Sequence, residues 1–129
     1  MKMLPKYKSS DPADEAGILK KIVGVRLTSV CFVLDYLIIG FDQKGALTLL
    51  VWPDVTDSLG GATSFGNPSY RDRFCDLITQ VVTDVQISKD ETITISFENG
   101  ARLIIRLRDR TTPGERAIFT APKHHLQVW

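Results

Sequence analysis

His124 and His125 are the two histidines of the 129-residue chain, and they are adjacent. On an extended segment neighbouring side chains point to opposite faces, so this pair can neither share a metal ion nor act as one dyad. One packed and one exposed histidine is the expectation. A Cys–His nucleophile pair would need Cys31 or Cys75 beside a histidine. Cys75 instead adjoins the apolar stripe of a helical segment. Both cysteines are expected as buried thiols in a reducing compartment, with a single disulfide between them left open, and no metal-ligand spacing surrounds either. The run Gly60-Gly61-Ala62-Thr63-Ser64-Phe65-Gly66 invites a phosphate reading but lacks the Gly-Lys-Ser/Thr ending, so a flexible loop is expected. The acids Asp35 with Asp42, Asp90 with Glu91, and Glu98 fall in or beside turns, where such residues are favoured for backbone reasons. No catalytic residue, metal set or cofactor site follows from these groups, and the chain reads as a non-enzymatic protein.

The strongest surface feature is basic. Arg102, Arg106 and Arg108 are joined by Arg110, and the first three share one face of a strand beside Thr92, Thr94 and Ser96. Such a row either discourages edge pairing on a solvated sheet or docks an acidic partner. Glu115, flanked by Arg110 and Arg116, either pairs an arginine to hold its loop or joins the same contact. These five residues, Arg102, Arg106, Arg108, Arg110 and Glu115, are the candidate partner-binding set. Nucleic acid is disfavoured, because no aromatic residues interleave with the arginines and the formal net charge is only +1.

Positioning these residues falls to a repeated pattern. FDQKGALTL at 41–49 and FENGARLII at 97–105 are two versions of one phrase, 56 residues apart. At a shift of 55, Leu19, Ile22, Thr28, Val30 and Asp35 fall on Phe74, Leu77, Thr83, Val85 and Asp90. At a shift of 56, Leu37, Ile39, Phe41, Leu47 and Leu49 fall on Ile93, Ile95, Phe97, Leu103 and Ile105. An internal duplication over approximately 11–52 and 69–108 is expected, each unit running helix, strand, hairpin. Asp11 is a good N-cap for the first helix, with Pro12 at its first position and Gly24 past its end. Ser69 caps the second, whose stripe is Tyr70, Phe74, Leu77 and Ile78. Asn99-Gly100 is the sharpest hairpin signal.

The whole predicts an α+β, β-rich single domain over 1–129. Two pseudo-equivalent units and two short helices would build an antiparallel sheet or a partly closed barrel. Residues 53–68, rich in Gly, Ser, Asp and Pro, are expected as a loop, and 116–129 as short terminal strands. In the first unit Cys31, Val33, Tyr36, Ile38, Leu50 and Trp52 are apolar where the second has mostly polar residues. A strand apolar on both faces is covered on both, so the first hairpin is expected under a helix, the C-terminal segment or another subunit. A composition of 43% hydrophobic and 24% charged residues is that of an ordinary globular chain. No apolar run approaches the roughly 18–20 residues of a membrane span, and the N-terminal stretch lacks a signal-peptide core, so a cytoplasmic protein is expected.

Three segments carry a resemblance: YRDRFCDLI leading into a Val-rich strand, the FENG hairpin, and PGERAIF followed by HLQVW. Over roughly 69–129 the chain resembles a family of small bacterial proteins of unknown function. It departs from the family at Thr79, where a Gly would sit, and at 113–115, which read Pro-Gly-Glu rather than Gly-Pro-Glu. The resemblance implies a small α+β fold and no known activity. At the level of class, size and pattern are also similar to immunity proteins of bacterial toxin systems. A protein-binding module is the leading reading, its partner an acidic surface or a toxin domain. The alternatives are a small-molecule binder or small enzyme with a pocket between the repeats, and a homodimer that buries the apolar positions of the first unit.

Overall fold

A computed structural model of the chain describes residues 17–89, 91–108 and 116–129. The first element is a six-residue 310 helix, Gly17–Ile22, which buries Leu19 and Ile22. An antiparallel meander follows: β1 (Leu27–Phe32), β2 (Leu37–Phe41) and β3 (Gly45–Leu49). Next come β4 (Asp54–Thr56), β5 (Ala62–Thr63) and the helix α1 (Tyr70–Cys75). A second meander, β6 (Val82–Ile87), β7 (Thr92–Phe97) and β8 (Arg102–Arg106), precedes the terminal strands β9 (Ala117–Ala121) and β10 (His125–Val128). The molecule is thus β-rich, with few and short helices, consistent with the α+β class.

The strands form two five-stranded antiparallel sheets, ordered β1-β2-β3-β9-β10 and β5-β4-β8-β7-β6. Each sheet is therefore completed by a hairpin from the far side of the chain. The β4–β5 hairpin follows β3 but pairs with β8, through Asp54↔Ile104 and Val55↔Leu103. The β9–β10 hairpin follows β8 but pairs with β3, through Leu47↔Phe119 and Leu49↔Ala117. Neither sheet has all five strands from one contiguous half.

The two sheets meet at a bridge between Arg26 and Val81. Around it the backbone bonds occur in corresponding pairs. Gly24 N–H donates to the Val82 carbonyl at 2.7 Å, and Thr79 N–H to the Leu27 carbonyl at 2.8 Å. Leu27 N–H donates to Gln80 and Val82 N–H to Val25, both at 2.9 Å. Both meanders carry a register shift one strand-turn further on, between Leu27 and Ser29 and between Val82 and Asp84. Gly24 and Thr79 also share a left-handed backbone, with φ of 85° and 84°.

Alternation decides which side chains go inward. In β7 Ile93, Ile95 and Phe97 are buried while Thr92, Thr94 and Ser96 are half-buried, and in β2 Leu37, Ile39 and Phe41 are buried. These residues join Leu47, Leu49, Leu103, Ile105 and Phe119 in one core cluster. Six-residue helices are far too short to stand alone in water. Both are held by packing, at about 1.5–3 kcal/mol for each large side chain taken out of water. Leu19 and Ile22 supply this for the first, and Tyr70, Phe74 and Leu77 for α1 and its continuation.

Several expectations change. Residues 53–68 contain the β4–β5 hairpin and are not wholly loop. The strands are two and three residues long, too short to show periodicity, and their geometry is imposed by pairing with β8. Cys31 and Cys75 are free and exposed rather than buried. Cys31 occupies the strand position opposite to inward Phe32, and Cys75 follows buried Phe74 onto the solvent side of α1. Ser69 stands at the N-cap but makes no side-chain cap; its hydroxyl is turned back to Asn67 Oδ1 at 2.8 Å. The first helix is a 310 turn where it is described, and the expected cap at Asp11 lies outside the described residues. His125 begins β10 and is exposed, so the two histidines do not share a strand. The β2–β3 hairpin lies between β1 and β9, and Ile38 on it and the flanking Tyr36 and Leu50 are half-buried. No described helix is long and apolar enough to cross a membrane.

Candidate functional site

Alternation on β8 puts Arg102, Ile104 and Arg106 on the outer face, opposite Ser96, Thr94 and Thr92 of β7. Arg108 follows just beyond the strand. The predicted row therefore exists, but two of its charges are committed. Arg106 forms a short ion pair with Asp54, which alternation on β4 brings to the same face. Arg108 reaches Glu91 at 3.8 Å. Arg102 is exposed and has no ion pair among the described residues. Arg110 and Glu115 lie outside the described residues. Among the described residues the row is a mixed-charge face with one uncommitted guanidinium, and exposed pairs of this kind are worth only about 0–1 kcal/mol each.

A second surface is built by residues that the arginine row does not touch. Trp52 closes the chain after β3, Phe65 follows β5, and Tyr70 opens α1. Pairing of β4 with β5 folds the intervening chain back and lays Phe65 flat on Trp52, with ring centroids 4.2 Å apart and planes at 11°. Tyr70 meets Phe65 edge-on at 5.8 Å and 88°, and Phe74 and Phe32 extend the cluster inward. Offset and edge-to-face pairs of this geometry contribute roughly 0.5–1.5 kcal/mol each beyond their burial. Phe65 nevertheless remains 52% exposed. Beside it opens a cleft of about 200 Å³ lined by Phe65, Gly66, Asn67, Pro68, Tyr70 and Arg71.

Polar contacts fix the walls. Asn67 Oδ1 accepts from the Ser69 N–H at 2.9 Å and from its hydroxyl at 2.8 Å, an Asx turn that sets the entry into α1. The buried Tyr70 hydroxyl donates to the Pro53 carbonyl at 2.5 Å. Burial raises the Tyr70 phenol far above its ordinary pKa, and the nearby Asp54 carboxylate adds to the effect. Tyr70 is thus a locked wall and no acid. Asp57 holds the β4–β5 turn: its Oδ1 accepts from Gly61 N–H at 2.9 Å and Leu59 N–H at 3.0 Å, and its Oδ2 pairs with Arg73 of α1. The Gly61 bond, then those from Leu59 and Arg73, outweigh desolvation and hold this carboxyl below the usual aspartate value. Arg71, next on α1, places its guanidinium 5.9 Å over the Phe32 ring.

A third feature lies where the two sheets meet, a shallow cavity of about 280 Å³ lined by Gly24, Val25, Arg26, Asp42 and Val81. Arg26 and Asp42 pair across it at 3.4 Å. Among the described residues no group of three or more His, Cys, Asp or Glu is placed to hold a metal ion.

The aromatic cleft was not foreseen from sequence. Its signal was present as two exposed-type aromatics, Trp52 and Phe65, bracketing a Gly- and Ser-rich stretch, but their stacking depends on the β4–β5 pairing. Searches against protein-family models, curated proteins and solved structures gave no match.

Proposed function

We propose that this protein is a non-enzymatic protein-binding module whose contact surface centres on the cleft beside Phe65. The observation that carries this reading is the state of Phe65 itself: a large ring, half exposed, packed against Trp52 and Tyr70. Fixed aromatics with an adjacent arginine are the composition of interface hot spots, because little conformational entropy is lost when they are covered. The arginine row flanks this centre through Asp54, which pairs with Arg106 and is close enough for its charge to act on Tyr70. An immunity-type role, in which the partner is a toxin domain, is the specific form of this reading. We further propose that the scaffold arose by internal duplication, supported by the matching strand orders, paired junction bonds and equivalent register shifts. Co-expression with the product of the adjacent gene, followed by gel filtration, tests the binding role. A stoichiometric complex lost on Phe65→Ala is expected; recovery of the chain alone from every co-expression contradicts it.

A second reading, a small-molecule binder with a pocket between the repeats, is favoured by the cavity that draws Gly24, Arg26 and Asp42 from one half and Val81 from the other. A thermal-shift screen of metabolites distinguishes it, since a ligand in that cavity stabilises the protein and Arg26→Ala abolishes the shift.

A further inference from the structure

The chemistry of the cleft narrows what it takes. Its volume of about 200 Å³ is below the roughly 300–1,000 Å³ of ordinary small-molecule sites, and matches a single side chain supplied by a larger partner. Its walls are flat and apolar. Phe65 is stacked on Trp52, meets Tyr70 at a right angle and stays 52% exposed, which leaves part of its ring for a group laid against it. The free polar groups of its lining side chains are donors. Asn67 has its oxygen occupied by the Ser69 N–H, which assigns the outward end of the amide as the NH2 group. Arg71 lies over Phe32, is exposed and has no ion pair among the described residues, so its charge is open to a partner. The one hydroxyl in the cleft, that of Tyr70, already donates to Pro53.

Donor side chains beside an aromatic floor suit a ligand that is flat, apolar and carries acceptors. Proline is such a residue, since it offers a ring and a carbonyl but no N–H. Extended proline-bearing segments are also pre-ordered, and dock on aromatic-lined grooves with little entropy left to lose. The uncommitted Arg71 adds a preference for a neighbouring carboxylate. Resting on the protein-binding reading above, we propose that the cleft recognises an acidic, proline-bearing segment of the partner, with a proline ring on Phe65 and a carboxylate on Arg71.

Synthetic peptides added to the isolated protein test this. The probe is a capped peptide with two adjacent prolines flanked by glutamates; its analogues replace the prolines with alanine or the glutamates with lysine. Backbone amide shifts of residues 65–67 and 69–71 are followed by NMR. The glutamate-flanked peptide is expected to bind with a dissociation constant on the order of 1 mM or tighter, and each analogue at least about tenfold more weakly. Arg71→Glu, an exposed change that leaves the core intact, is expected to reverse the preference in favour of the lysine analogue. Absence of shifts at the cleft, or affinity indifferent to either the prolines or the charges, overturns the proposal. If that happens while a partner complex is still recovered by co-expression, the peptide assignment alone fails and the protein-binding reading stands.

Discussion

Trp52 and Phe65 are thirteen positions apart in sequence and lie in contact, plane on plane, at 4.2 Å. Nothing local brings them together; the β4–β5 hairpin does, and that hairpin is in place only because β4 pairs with β8 of the other meander. The candidate site is thus a product of the exchange of hairpins between the sheets. Phe65→Ala should uncover Trp52, seen as a red shift of tryptophan emission, while stability falls by about 1–3 kcal/mol, the worth of the two ring pairs that Phe65 makes. Denaturant titration with fluorescence measures both.

The same exchange makes each half depend on the other. Phe119 arrives from the end of the chain and is fully buried opposite Leu47 in the first sheet. Phe119→Ala should cost about 3–5 kcal/mol. The loss should appear in both sheets at once, as one cooperative transition monitored by hydrogen exchange at Ile39 and Ile95. Separate melting of the two sheets would show that the hairpins do not couple them.

Acid should loosen the turn that carries the site. Asp57 binds a proton less readily in the folded chain than its ordinary value of 3.8 implies, because Gly61, Leu59 and Arg73 favour the carboxylate. Its contribution is therefore complete at neutral pH and is lost as the pH falls below about 4. Asp57→Asn keeps an acceptor oxygen but no charge. It should lower the melting temperature at pH about 7, and the difference from wild type should shrink as acid protonates Asp57. Thermal melts across that range measure the difference.

Thr79 holds a left-handed backbone, φ 84°, that suits glycine, the residue at the matching position 24. A β-branched residue there stores roughly 1–3 kcal/mol of strain. Thr79→Gly relieves it and loses part of the gain to a more flexible unfolded chain, for a net stabilisation of about 0.5–1 kcal/mol. The converse change, Gly24→Thr, should destabilise although no atom stands in its way. Chemical denaturation of the two variants checks the sign of each.

The hairpins were legible in sequence because strict alternation, as in Ile93, Ile95 and Phe97, leaves one choice of inward face. Both phrases were legible as turns, with Lys44 and Gly100 N–H donating to the Phe41 and Phe97 carbonyls, but the left-handed residues differ, Gln43 and Gly45 in one and Gly100 in the other. What closes the fold was not legible. Strands β4 and β5 have five residues between them, fewer than a period-two pattern needs, and no property of Val55 names Leu103 as its neighbour. The basic row was readable from the arginines themselves, but its neutralisation by Asp54 and Glu91 was a matter of cross-strand register and turn geometry. The cysteines misled because composition speaks for burial while strand and helix phase put both thiols outside.

The most direct test of the account is a hydrogen–deuterium exchange footprint of the full chain, alone and in the complex that the proposed co-expression would yield. Protection concentrated at residues 64–71, with smaller changes along Arg102 and Arg106, is the predicted result. Unchanged exchange at 64–71 together with protection on the outer face of the first sheet, at Cys31, Ile38 and Val128, would contradict it.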